Sequence, residues 1–184
     1  MKELVSFKVK DIVYIAIFTA FLCAISGFSI PIGPISITLA TFGVYLIGAI
    51  FPLKIAFFCV LNYILLGIMG LPVFSNFNSG IGVIAGPTGG YILGYIPLLI
   101  IENLLIKLSK EKNYMYPLSM ILGTIILYLM GTIYFYCIST KGYSFYEIMK
   151  ICVFPFIAVD LVKIIAACMI SYRIKPIFEK LYNK

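Results

Sequence analysis

Asp160 and Lys163 are the two residues whose types and spacing are best suited to chemistry. They lie three residues apart in an otherwise apolar stretch from Ile148 to Ile170, which is long enough to cross a membrane. Opposite charges at that spacing share one face of a helix. Ionisable groups at bilayer depth are costly, and they usually line a ligand site, an ion path or a helix contact. The pair is therefore the first candidate for a functional site.

Two roles are open for this pair. From the end of the span near Glu147, Asp160 lies roughly 20 Å along a helix at 1.5 Å per residue, close to mid-bilayer. An ionised Asp accepts hydrogen bonds and Lys offers three donors, so together they suit a small polar molecule having both N–H and C=O groups. The alternative is an ion pair that only locks helices together. Pro155, shortly before the pair, predicts a kink that opens backbone groups.

The composition places this pair in a membrane protein. Of the 184 residues, 62% are hydrophobic and 11% are charged, and the mean hydropathy is +1.10. A soluble domain usually has about a quarter of its residues charged. Long apolar blocks without period-2 alternation favour helices. We predict an all-α integral membrane protein.

Six segments are apolar enough to be spans, each of which needs roughly 20 residues. The second and third are short and are separated only by Phe51 to Lys54, which predicts a tight helical hairpin. The six candidates are Ile12 to Ile30, Ile37 to Phe51, Lys54 to Met69, Pro87 to Leu108, Pro117 to Ser139 and Ile148 to Tyr172. They predict one compact six-helix bundle, with residues 1–184 forming a single domain.

Basic residues indicate the orientation of the spans, because they collect in cytoplasmic loops. Six spans would place three basic segments on one side: Lys2, Lys8 and Lys10; Lys107, Lys110 and Lys112; and Arg173, Lys175, Lys180 and Lys184. The connections on the other side carry only Lys141 and Glu147. Both termini are therefore predicted to be cytoplasmic, and Glu102 is expected to reach the interface beside Lys107. Membrane topology accounts for the net charge of +7, so nucleic-acid binding is not expected.

The sequence lacks the residue patterns that several kinds of chemistry require. The five cysteines show no C-x-x-C spacing, so they are interpreted as small buried residues and not as metal or redox groups. An intramembrane enzyme using Asp160 as an acid or base would need a second tuned group, a metal or a nucleophile. The sequence has no His and no clustered carboxylates, so we expect no enzyme, metal or cofactor. It also has no Walker A motif, so any ATP hydrolysis must come from another chain.

The uncharged segment from Gly70 to Gly90 is a second candidate for ligand contacts. It is dense in Gly, Pro and Asn where the chain should leave the membrane on the outer side. The amide of Asn76 and the rings of Phe74 and Phe77 could cover a ligand, as in a lid. Pro87 suits the first position of a helix, and the free N–H groups that follow could bind a carboxylate. An ordinary surface loop with a capped helix is the alternative.

Ala16, Ala20 and Ala24 form a stripe of small residues in the first span. Small residues let another helix approach closely in lipid. That helix could belong to this bundle or to a partner protein, and the pattern alone does not favour either.

Several of these segments together resemble the BioY family, the biotin-binding S components of energy-coupling factor (ECF) transporters. The resembling segments are Ile30 to Pro34, Ile37 to Leu39, Thr41 and Phe42, Gly70 to Phe74, Gly86 to Tyr91, and Pro155 and Phe156 followed by Asp160 and Lys163. The resemblance covers most of the chain. It implies a six-helix fold in the plasma membrane, an outward-facing biotin site, and partnership with a transmembrane T component and two cytoplasmic ATPases. Biotin is then a transported ligand, and no cofactor is implied.

The resemblance also assigns roles to individual residues. Those matching the family's biotin site are Asp160 and Lys163, which hold biotin, Asn76, which joins them from the loop, and Thr88 and Tyr91, at the cavity. The stripe of Ala16, Ala20 and Ala24 matches the surface by which S components dock on the T component. One departure is Ala40, where the family pattern has Gln.

Two other transport roles remain open at this point. An S component for another vitamin would share the fold but not the site. A stand-alone proton-coupled carrier would use Asp160 as its proton site, although the chain has no obvious inverted repeat of the kind that many secondary transporters have.

Overall fold

The computed structural model describes residues 7–139, 142 and 144–182. Lys2, Lys141 and Lys184, which enter the predicted orientation, lie outside the described residues. The elements in chain order are α1 (Val9–Ser26), β1 (Ser29–Ile32), β2 (Ile35–Thr38), α2 (Ala40–Ile50), α3 (Leu53–Ile68), α4 (Ile81–Ala85), α5 (Gly89–Leu108), α6 (Met115–Ile138), α7 (Phe145–Cys152) and α8 (Phe154–Tyr182). A single 3-10 turn, Ser75–Phe77, lies between α3 and α4.

The helices α1, α5, α6 and α8 are each long and apolar enough to cross a membrane, while α2 and α3 are shorter apolar helices. The described chain is thus mostly helical and multi-pass, as expected. Nearly every residue of α2 is buried, and α2 packs against α1, α5 and α8. The Asn103 amide donates 2.8 Å hydrogen bonds to the carbonyls of Gly48 and Phe51. These bonds satisfy backbone groups where α2 ends, which a lipid environment requires.

One end of the bundle, here called the terminal end, brings together the beginning of α1, the α2–α3 turn and the end of α8. The Tyr182 hydroxyl donates to Asp11 Oδ1 at 2.7 Å. The ring of Phe178 lies edge-on to those of Tyr14 and Phe51, with centroid distances of 5.0 and 4.6 Å. These contacts join the first and last helices.

The opposite end, here called the loop end, carries an antiparallel hairpin of β1 and β2 that pairs Ser29 with Thr38. The sequence prediction did not include this hairpin, since it ran the first span to Ile30 and began the second at Ile37. The proline at position 31 cannot donate a helical hydrogen bond. Gly33 has φ +72°, which permits the tight turn.

The predicted sixth span is two helices. The chain leaves helical geometry at Val153, with φ −122° and ψ −55°, so the expected interruption near Pro155 is confirmed. The helix α7 is capped by Ser144, whose N–H donates to Glu147 Oε2 at 2.7 Å and whose hydroxyl accepts from the Glu147 N–H at 3.3 Å. These hydrogen bonds lower the pKa of Glu147 below its ordinary value.

Two smaller expectations are wrong. Glu102 does not reach the interface, since it is fully buried and packs against Gly48, which has no side chain to occupy that space. Cys137 is exposed, whereas Cys59, Cys152 and Cys168 are buried as expected, and all five cysteines are free thiols.

Candidate functional site

A cavity at the loop end contains the predicted polar pair. The space between its lining residues, together with the open solvent at its mouth, is about 590 Å³. The lining comes from the hairpin, the 3-10 turn and helices α2, α3, α5, α6, α7 and α8, and includes Ser36, Thr41, Tyr63, Thr88, Tyr91, Tyr95, Leu127, Tyr128, Phe156, Asp160 and Lys163. The cavity is therefore assembled from elements spread between residues 35 and 163.

Asp160 and Lys163 form a buried ion pair in this cavity. They are 4% and 7% exposed, and Lys163 Nζ lies 2.7 Å from Asp160 Oδ1. The two positions are one turn apart on α8, so the helix itself sets their spacing. Because neither charge is solvated by bulk water, each depends on the groups around it.

Two further residues complete a hydrogen-bond network. The Thr41 hydroxyl, at the start of α2, accepts from Lys163 Nζ at 3.0 Å and donates to Asp160 Oδ1 at 3.3 Å. The Tyr128 hydroxyl, on α6, donates to Asp160 Oδ2 at 2.5 Å. The network thus connects α2, α6 and α8 and also faces the cavity. The ion pair therefore both holds helices together and lines the candidate site.

The network leaves hydrogen-bonding capacity for a ligand. An ammonium group has three N–H donors, and two of those on Lys163 are used by Asp160 and Thr41. Among the described residues no other acceptor is bonded to this nitrogen, so the third donor can serve an acceptor in the cavity. The rings of Tyr63, Tyr91 and Tyr95 line the same cavity, and they offer apolar faces to a ring-shaped ligand.

Thr88 and Tyr91, at the start of α5, both line the cavity. The Thr88 hydroxyl donates to the Val83 carbonyl at 3.2 Å, and the Tyr91 hydroxyl lies 3.4 Å from Thr132 Oγ1. The sequence suggested that the N–H groups after Pro87 are free to bind a carboxylate. The N–H of Gly89 is not free, because it donates to the Gly86 carbonyl at 3.0 Å.

Asn76 lies at the edge of this site and not in its lining. It is exposed and has a positive φ of 56°. Its backbone N–H donates to Ser29 Oγ at 2.8 Å and its side-chain amide donates to Ser36 Oγ at 3.0 Å. Ser36 does line the cavity, so Asn76 fastens the 3-10 turn to the hairpin beside the cavity mouth.

Ala40, the position that departs from the family pattern, is buried and lines the cavity. Its N–H donates to Thr38 Oγ1 at 3.1 Å. A long amide side chain at this position would project from the beginning of α2 beside Thr41. Alanine therefore leaves space where the pattern has a polar side chain.

The alanine stripe lies on the outside of the bundle. Ala16, Ala20 and Ala24 are all exposed, whereas the buried face of α1 consists of Asp11, Ile15, Thr19, Leu22 and Ser26. Internal packing is therefore not the role of this stripe within the described structure.

Sequence reasoning did not assign a role to Tyr128 or Thr41. Thr41 belongs to a segment that carried the family resemblance, so its position was a usable signal. Tyr128 is one of 14 tyrosines, and nothing in its neighbourhood along the chain sets it apart.

Comparison with known proteins agrees with this architecture. The family model of the BioY family matches residues 1–180. The biotin transporter BioY of Thermotoga maritima is 34% identical over 168 residues, covering 91% of this chain and 97% of that protein. The probable biotin transporter BioY of Pyrococcus horikoshii is 33% identical over 168 residues, covering 91% and 98%.

A solved structure has the same fold. The crystal structure of the S-component for biotin from an ECF-type ABC transporter matches with a TM-score of 0.82 and 25% sequence identity. The match covers 91% of this chain and 92% of that one. The family model matches almost the whole chain, and the two relatives align with it over more than 90% of both sequences. This chain therefore belongs to the BioY family.

Proposed function

We propose that this protein is the biotin-binding S component of an ECF transporter. It captures biotin from outside the cell, and separate subunits supply the energy for uptake. The observation that carries the proposal is the network of Thr41, Asp160 and Lys163 facing a loop-end cavity. Membership of a transporter family also means that the chain is not an enzyme, in agreement with its sequence.

The chemistry of biotin suits this cavity. Its ureido group has two N–H donors and a strong acceptor, and its thioether ring is apolar. The third Lys163 N–H can donate to a ligand acceptor, and the Asp160 carboxylate can accept from a ligand donor. Tyrosine rings, including that of Tyr91, cover the apolar ring. Thr88 lines the cavity, and Asn76 stands beside its mouth and acts through Ser36.

The charge distribution supports an outward-facing cavity. The described basic residues at or near the terminal end are Lys8, Lys10, Lys54, Lys107, Lys110, Lys112, Arg173, Lys175 and Lys180. At the loop end, the described charged residues outside the buried pair of Asp160 and Lys163 are Lys150 and Glu147. By the positive-inside rule, the terminal end is cytoplasmic and the loop end faces outward. In this proposal α2 and α3 cross the plasma membrane as a helical hairpin, which gives the protein six spans.

The exposed alanine stripe on α1 supports docking to a transmembrane T component. Its side chains add little to the helix surface, so a partner helix can pack closely. The sequence has no Walker A motif, and two cytoplasmic ATPases complete the proposed complex.

Titration calorimetry of the purified protein with biotin tests the proposal. We expect saturable one-to-one binding, with no comparable heat from riboflavin or thiamine. Absence of biotin binding by folded protein, or tighter binding of another vitamin, would reject the biotin assignment. Uptake by cells with and without the T component and ATPases then separates an S component from a stand-alone carrier, because only the latter keeps full uptake alone.

A further inference from the structure

A groove on the outer face of the bundle reaches the candidate site from the membrane side. It runs between α6 and α8 and is walled by Ile121, Ile125, Ile157 and Leu161, all of which are exposed. On each helix the groove residues recur at helical spacing, so one face of α6 meets one face of α8 across a gap. Exposed apolar side chains along two candidate spans face lipid acyl chains.

Tyr128 and Asp160 line both this groove and the loop-end cavity. Asp160 is 4% exposed, and the Tyr128 hydroxyl donates to its Oδ2 atom at 2.5 Å. The two side chains therefore form the partition between the cavity and the groove. Without Tyr128, one oxygen of a carboxylate would face hydrocarbon with no donor, which is unfavourable.

We propose that Tyr128 is a positioning residue for ligand binding, because it fixes the carboxylate of Asp160 and closes the cavity against the lipid-facing groove. The inference rests on the proposed function, since it takes Asp160 as part of the biotin site. Lys163 and Thr41 hold Oδ1, and Tyr128 holds Oδ2. With both oxygens held, the carboxylate presents one fixed orientation to the ligand, so little ordering is needed on binding.

A double-mutant cycle on biotin affinity tests the positioning role. Tyr128→Phe keeps the ring and removes the hydroxyl, and we expect it to weaken binding about tenfold, because hydrogen bonds to charged groups are the stronger class. In an Asp160→Asn background the same change is expected to have less than about a twofold effect, since strong coupling is confined to interacting residues. Tyr136→Phe, an exposed tyrosine on the same helix, serves as the matched control and should bind normally.

The partition role has its own readout. Tyr128→Leu should open the cavity to acyl chains, so that laurate competes with biotin in this variant and not in wild type or Tyr128→Phe. Equal competition by laurate in wild type would overturn the partition.

The outcomes separate this inference from the proposed function. Wild-type protein that fails to bind biotin rejects the proposed function. Wild-type binding, weak binding by Asp160→Asn and normal binding by Tyr128→Phe reject the positioning role alone. An equal loss from Tyr128→Phe in both backgrounds, with a lower unfolding temperature without biotin, would mean that Tyr128 only supports the fold.

Discussion

At the residue scale, the buried ion pair is stabilised because both of its charged groups also form hydrogen bonds with a neighbouring side chain. A buried charge pair often contributes little to stability, but removal of one partner leaves an uncompensated charge. Lys163 and Asp160 each bond to Thr41 as well as to one another. Since one Lys163 N–H remains available, a ligand acceptor would complete the coordination of the ammonium group.

We predict that Asp160→Asn and Lys163→Met each weaken biotin binding by roughly tenfold to a few hundredfold. Hydrogen bonds to charged groups contribute about 1.5–3 kcal/mol each, and 1.4 kcal/mol corresponds to a tenfold change in affinity. Calorimetry measures the affinities, and Lys150→Met, an exposed lysine on α7, is the control.

The same variants distinguish a ligand site from a structural brace. Thermal unfolding of the detergent-solubilised protein should be recorded for both single mutants and for the double mutant. Native biotin affinity in a clearly destabilised single mutant would show that the pair only braces the helices.

At the element scale, α1 has two faces with different partners. Its buried face packs against α2 and α3, and the Thr19 hydroxyl donates to the Cys59 carbonyl at 3.3 Å. Its opposite face presents Ala16, Ala20 and Ala24. Since the buried face already holds α1 in the bundle, a change on the alanine face can alter docking without disturbing the ligand cavity.

We predict that Ala20→Trp prevents assembly with the T component and transport, while the purified variant still binds biotin. The bulky ring keeps a partner helix from close approach. Co-purification with the T component measures assembly, and Ile165→Trp, on the exposed face of α8, is the control. Loss of biotin binding with assembly preserved would contradict the docking role.

The close contact between α5 and α6 depends on glycines, which have no side chain at the points of contact. A Cβ on Gly131 would lie 2.3 Å from a ring carbon of Tyr91, and one on Gly123 would lie 3.0 Å from the Leu98 carbonyl oxygen. Tyr91 lines the cavity, so this close packing also sets the shape of the site. The backbone contact at Gly123 cannot be relieved by rotating a side chain.

We predict that Gly123→Ala lowers the free energy of unfolding by about 1–3 kcal/mol, the usual cost of overpacking. Thermal unfolding in detergent measures the change. Gly82→Ala is the matched control, since nothing lies within 4 Å of its added Cβ. Equal stability of the two variants would show that α5 and α6 separate easily at this point.

At the scale of the whole molecule, the two ends differ in charge and in chemistry. The terminal end carries most of the described basic residues together with an aromatic cluster, and the loop end carries the β-hairpin, the 3-10 turn and the cavity. A ligand that enters from the loop end meets Asp160 and Lys163 without crossing the basic end.

We predict that reporters fused at both termini are cytoplasmic and that one inserted between Gly70 and Gly86 is outside. The basic residues of the terminal end should be retained in the cytoplasm. Paired alkaline phosphatase and fluorescent-protein fusions report the location. A C-terminus outside the cytoplasm would contradict the six-span topology.

Much of the site could be predicted from sequence, because charges are conspicuous in apolar segments. Asp160 and Lys163 stand out for that reason, and their helical spacing places them together. The family and its transport function are confirmed, whereas the biotin-binding roles of these residues stay a prediction. Tyr128 could not be found this way, since its partner is 32 residues away and tyrosine is common at many kinds of position in membrane proteins.

The hairpin was missed for a different physical reason. Hydropathy alone does not separate a short apolar strand from a helix, and both strands are rich in isoleucine. The prolines around Gly33 were the available signal for a turn. Asn76 was placed near the site by resemblance, but its bond to Ser36 depends on the hairpin and could not be foreseen without it.

The unequal lengths of the helices have a consequence for the surrounding lipid. At 1.5 Å per residue, the 16 residues of α3 cover about 24 Å, while the 24 residues of α6 cover about 36 Å. Typical hydrocarbon is roughly 30 Å thick, so in the proposed six-span topology α3 is shorter and α6 longer than the layer that they cross. We expect the bilayer to thin where it meets α3, and either to thicken or to leave α6 tilted where it meets α6. We therefore expect the acyl-chain length of the lipids to change the tilt angle of the bundle in the membrane.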